Sequence, residues 1–130
     1  AKKVTGLLTR LDSKYGVYGC LGKHDYGLGG FLKNNKDKHK TAAMKRQLSF
    51  AGIKLLVNET TEIEINSRRL NIAGLGDIWA NDFEPEKTFK NTDRTIPVIT
   101  LVHNPEAVKK LRNIDTELIL SGHTHGTKFE

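Results

Sequence analysis

The sequence predicts an α/β sandwich of mixed β-sheets flanked by helices, on three observations. Apolar runs of strand length alternate with helical patterns, three of the strand-like runs end in histidine-bearing turns, and no repeat or low-complexity segment interrupts the series. A chain of 130 residues, 37% hydrophobic and 28% charged, suffices for one globular domain over 1–130 and carries no compositional mark of disorder.

The elements follow in order. Val4, Leu7, Leu8 and Leu11 recur at helical spacing among basic residues, so an amphipathic helix is expected over 1–12, already under way at Ala1. The run 16–21 is too short for a buried helix and suits a buried strand. A glycine-rich, then lysine-rich, loop reaches about residue 40, after which Thr41 caps a helix with Met44, Leu48 and Ala51 on its apolar side and Gly52 as its terminator. Strands are predicted over 53–57, around Ile63 and Ile65, and around Leu70 and Ile72, the last two forming a hairpin through Asn66-Ser67. The stretch 74–93 mixes turn residues with Trp79, Phe83 and Phe89 and reads as an ordered loop with a short helix near Pro85. A strand over 96–102 leads to a helix opening at Asn104-Pro105 with Ala107, Val108 and Leu111 as its apolar face, and 118–120 is the last strand.

Composition narrows the setting. No apolar run approaches the roughly 18 residues that cross a bilayer, and no signal-peptide pattern opens the chain. It reads as soluble, in the cytoplasm or at the periphery of a membrane. Cys20 has no second cysteine with which to pair, and its apolar neighbours suit a buried thiol. The net charge of +6 is uneven, because Lys33, Lys36, Lys38, Lys40, Lys45 and Arg46 are opposed only by Asp37. Nucleic acid or an anionic membrane surface is a candidate partner for such a cluster, and a solvated surface loop is the plainer reading.

The chemistry gathers at Gly22-Lys23-His24-Asp25, Val102-His103-Asn104 and Gly122-His123-Thr124-His125-Gly126. Ligands of open α/β sheets bind beyond the carboxyl ends of strands, so three such turns can converge on one site. His123 and His125, two apart, project to one side of an extended segment and can each serve one of two neighbouring metal ions. Two ions about 4 Å apart can clamp a phosphoryl group and acidify a water. Asp77, in a Gly-flanked loop, reads as turn chemistry outside the site, and Trp79 reads as buried beneath that loop.

These turns resemble the motifs of calcineurin-like metallophosphoesterases, where a Gly-Asn-His-Asp turn, a lone strand-end histidine and a Gly-His-x-His turn occur in this order. The likeness extends to residues 71–77 and to Ser121, which look like the bacterial, membrane-associated branch. It implies hydrolysis of phosphate mono- or diesters with two divalent ions, Mn, Fe or Zn. His103 and His123 would ligate one ion and His125 the other. His24 would face the phosphate and its leaving group, with Asp25 orienting its ring.

Two departures from the family pattern stand out. Its first motifs, an Asp-x-His and a Gly-Asp turn, would lie before Ala1 and are not within these residues. A second copy of the chain or a further segment is then expected to cover the sheet edge and the apolar face of the first helix. Lys23 occupies the place of the ligating asparagine, and an ammonium has no lone pair to offer. At about 4 Å and an effective dielectric near 20, it would repel a divalent ion by roughly 8 kcal/mol.

Overall fold

Strand β1 (Val17–Gly19) lies parallel to β2 (Ile53–Leu55) in a two-stranded sheet. A separate four-stranded sheet has the order β3-β4-β5-β6, from β3 (Glu59–Ile65), β4 (Arg68–Gly74), β5 (Val98–Val102) and β6 (Leu118–Ser121). The helices are α1 (Lys38–Phe50), α2 (Pro85–Phe89) and α3 (Ala107–Lys110). This computed structural model describes residues 6–28 and 38–126, with side chains for all of these except 38–40. The mixed sheets and flanking helices are the α/β class expected from the sequence.

The hairpin β3–β4 turns at Asn66 and Ser67, whose φ values of 49° and 64° match the doubly left-handed turn that suits twisted antiparallel strands. β4, β5 and β6 then run parallel, which brings their carboxyl ends to one edge of the sheet. One core joins Ala73, Leu75, Val98 and Val102 from this sheet to Phe89, Ala107 and Leu111. A second joins Leu21, Tyr26, Leu55 and Ala80, with Met44 and Leu48 of α1 packed against it. The loop after β4 serves both cores, because Ile78 faces the first and Ala80 the second.

Several local expectations change. Helix α1 begins at Lys38, one turn before Thr41, and ends near Gly52 as expected. Of the helix expected over 1–12, residues 6–8 form one turn and Leu7 and Leu11 are exposed; Val4 lies outside the described residues. Helix α3 is only four residues long, so its face is too short to bury Val108, which is 51% exposed. Most of the lysine-rich segment lies outside the described residues. Lys45 pairs with Glu59 at 2.9 Å, tying α1 to β3. Strand β6 forms one edge of its sheet and exposes Leu118 and Leu120. Among the described residues no helix is long and apolar enough to cross a membrane.

Candidate functional site

Strand register brings two of the histidines to neighbouring strand ends. Val102 and Ser121 are Cα partners at the ends of β5 and β6, and the Gly122 amide extends the ladder by donating to the His103 carbonyl at 3.2 Å. His103 and His123 therefore leave neighbouring strand ends, and His103 Nε2 lies 3.1 Å from His123 Nδ1 with the rings nearly perpendicular. That separation is the length of an N–H···N hydrogen bond between the rings; two nitrogens so spaced, each about 2.1 Å from a shared ion, would subtend roughly 95° at it, so the pair could serve one metal as adjacent ligands if the hydrogen bond is given up.

The turn around His123 is not the extended segment that the two-residue spacing implied. Thr124 donates its amide to the Gly122 carbonyl at 2.9 Å, and His123 between them has φ 70°, the rarer and more strained form of a three-residue turn. His125 and Gly126 also have positive φ. The outcome is that His123 is half-buried against His103, whereas His125 is exposed. Backbone strain of this kind costs on the order of 1–3 kcal/mol and is concentrated at functional sites.

The turn after β1 closes on the same place. Asp25 Oδ2 accepts the Gly22 amide at 3.0 Å, the Asp25 amide donates back to the Gly22 carbonyl, and the Gly27 and Leu28 amides bind the His24 and Lys23 carbonyls. His24 is exposed on this turn. Burial holds the His103 pKa below its ordinary value; Asp77 and Asp25 pull it up, and His123 and His24 press it further down.

Four residues join the site that the sequence placed elsewhere or did not single out. Trp79 is 53% exposed rather than buried, because its loop is anchored by Ile78 and Ala80 on either side and displays the residue between them. Its Nε1 donates to Glu106 Oε1 at 2.8 Å, and its ring meets His123 edge-on with centroids 4.5 Å apart. The Lys23 ammonium rests over the Trp79 ring, 4.3 Å from the centroid, a contact worth about 0.5–1 kcal/mol at a partly exposed position. Asp77 is fully buried behind this loop, and its Oδ1 accepts the Ala80 amide at 2.9 Å. Asn104, also fully buried, accepts the Ile78 amide on Oδ1 at 2.9 Å. Among the described residues Asp77 Oδ2 and Asn104 Nδ2 find no hydrogen-bond partner. The Gly-flanked Asp77 and the Asn104-Pro105 pair were the only sequence signals for this support; nothing local marked Glu106.

Among the described residues no group of three or more His, Cys, Asp and Glu side chains is arranged to hold a metal. The described residues thus bring together the His103–His123 pair with Trp79 and Lys23 beside it.

Similarity to known proteins places the chain. No family profile matches it, and no solved structure does. The phosphodiesterase YaeI of Escherichia coli is 31% identical over 110 residues, 85% of this chain and 37% of the relative. A UDP-2,3-diacylglucosamine pyrophosphatase, LpxG of Chlamydia muridarum, is 28% identical over 99% of this chain and 50% of its own length. The metallophosphoesterase YkoQ of Bacillus subtilis is 29% identical over 92% of this chain and 41% of its own. The chain spans half or less of the length of these curated relatives. Agreement among them over most of the chain, together with histidine turns in the family's order, shows that it belongs to the metallophosphoesterase family of phosphate-ester hydrolases.

Proposed function

We propose that this chain contributes part of a two-metal site that hydrolyses phosphate mono- or diesters. In this reading His103 and His123 ligate one divalent ion, His125 ligates the other, and His24 acts at the phosphate and its leaving group. The observation that carries it is the 3.1 Å approach of His103 Nε2 to His123 Nδ1, a spacing suited to one shared ion. Family membership implies divalent metal, and Mn, Fe and Zn all accept imidazole donors. Bound ions would supply Lewis acidity toward phosphoryl oxygens and a water acidified toward neutral pH.

The chain's own residues prepare that chemistry. Burial favours neutral His103, the state with a lone pair to donate. The strained turn at His123 aims its ring at His103, and Trp79 shields its outer edge. His24 protonates the leaving oxygen through an imidazole N–H, while Asp25 steadies the turn that carries it by accepting the Gly22 amide. The names of the relatives point to phosphodiester or pyrophosphate linkages as the substrate class.

A second reading, an anion-binding module that does not hydrolyse its ligand, is favoured by the Lys23 ammonium beside the histidine pair. Exposed Leu118 and Leu120 on β6 favour a covered edge, by a second copy or another segment. The discriminating experiment is Mn²⁺-dependent hydrolysis of a chromogenic phosphodiester, with Mn²⁺ binding measured in parallel for His103→Ala and His123→Ala. The hydrolase reading expects each substitution to abolish both. Mn²⁺ binding that survives both substitutions unchanged would sink it.

A further inference from the structure

Lys23 immediately precedes His24 and sits in the turn whose Gly22 presses against the His103 ring. Among the described residues its ammonium forms no ion pair, and its partner is the face of Trp79. That ring is itself held in place, by the Nε1–H bond to Glu106 at one end and by the edge contact with His123 at the other. Residues from the turns after β1, β4 and β6 and from the start of α3 therefore cooperate to hold one positive charge a single ring away from His123.

We infer that Lys23 is the phosphate-binding cation of this site, stationed on Trp79 and transferred to a phosphoryl oxygen when a phosphate group arrives. The inference rests on the reading of the His103–His123 pair as a phosphate-handling centre, and deepens it. A half-buried ammonium that meets no carboxylate among the described residues attracts an anion, and a charge-assisted hydrogen bond to phosphate is stronger than the contact with an aromatic face. Lysine suits the role because its compact charge carries three donors on a flexible stem that reaches from the ring to a nearby oxygen. The same charge disfavours a divalent ion close beside it, so the position exchanges a metal-ligating function for direct recognition of substrate. Glu106 forms no ion pair with Lys23 among the described residues; its Oε1 accepts the indole N–H.

Trp79 is the one tryptophan in the chain, so its emission reports on this spot. Inorganic phosphate, titrated at constant ionic strength in the presence of a chelator, is expected to cause a saturable change in emission as the ammonium leaves the ring. Lys23→Met should weaken phosphate binding by about tenfold to a hundredfold, the range for one charge-assisted hydrogen bond, and Lys23→Arg should retain most of it. Calorimetric titration of the same variants gives affinity without relying on the fluorophore, and thermal melting verifies that each is folded. Equal phosphate affinity of folded Lys23→Met and the unaltered chain would overturn the inference, as would an unaltered chain that binds no phosphate by either method. The two readings fail separately. A Lys23-dependent phosphate response in a protein whose Mn²⁺ binding survives His103→Ala and His123→Ala removes the hydrolase reading and supports this one, whereas loss of Mn²⁺ binding in those variants with Lys23-independent phosphate binding does the reverse.

Discussion

Gly22 lies so close to the His103 imidazole that a Cβ built on it would stand 2.8 Å from both Cε1 and Nδ1 of the ring. This contact joins the turn after β1 to the end of β5, across two separate sheets. Gly22→Ala should rotate the ring away from His123 rather than unfold the chain, because the obstacle is a side chain that can turn. We expect a stability loss of about 1 kcal/mol, at the low end for overpacking, and a larger proportional loss of Mn²⁺ affinity. Denaturant titration and Mn²⁺ titration of the same variant check the two parts. Unchanged Mn²⁺ affinity would show that the ring position does not matter.

Gly76→Ala should behave differently. Its Cβ would fall 2.1 Å from the backbone carbonyl of Asp82, which cannot turn aside, and 3.1 Å from Asn58 Nδ2. Asn58 accepts the Gly76 amide at 2.9 Å and donates to that same Asp82 carbonyl, so one methyl group strains the whole loop. A loss of about 3 kcal/mol or more is expected, measured by urea unfolding. A variant as stable as Gly22→Ala would contradict it.

Asn104→Ala should leave the Ile78 amide without its acceptor and cost about 1–3 kcal/mol. Because that amide adjoins Trp79, the emission of the folded variant should also shift. Stability and spectrum both unchanged would mean that Asn104 does not hold the loop.

Cys20 is half-buried rather than buried, and this partial burial pushes its thiol up to about 11 from an ordinary 9.0, with the Asp25 and Asp77 charges adding to the rise. The folded chain prefers the neutral thiol, so this group opposes folding once pH climbs above about 9, where the unfolded chain ionises first, and adds nothing to stability below that. At pH 8 the native thiolate population is about a hundredfold below that of an unperturbed cysteine, and modification by a disulfide reagent should be slowed accordingly. Stopped-flow labelling in native buffer and in denaturant gives the ratio. Equal rates would refute the burial.

The chain should retain divalent metal weakly after dialysis, because the described residues offer a pair of imidazoles with no carboxylate grouped beside them, a modest donor set. Elemental analysis showing two tightly held ions per chain would refute this.

The strands and the histidine turns at their ends were legible in the sequence because their signals are local. Alternation in β3 and β4, the Asn66-Ser67 turn and the histidine motifs each act over a few residues, and together they marked the class, the hairpin and His103 and His123. Only tertiary structure decided that these two rings meet while His125 is exposed, since that follows from the Val102–Ser121 register and a strained turn that spacing alone does not encode. Only tertiary structure, too, brought Trp79 to the surface between two cores and laid the Lys23 ammonium across it, because both depend on contacts among segments far apart in the chain.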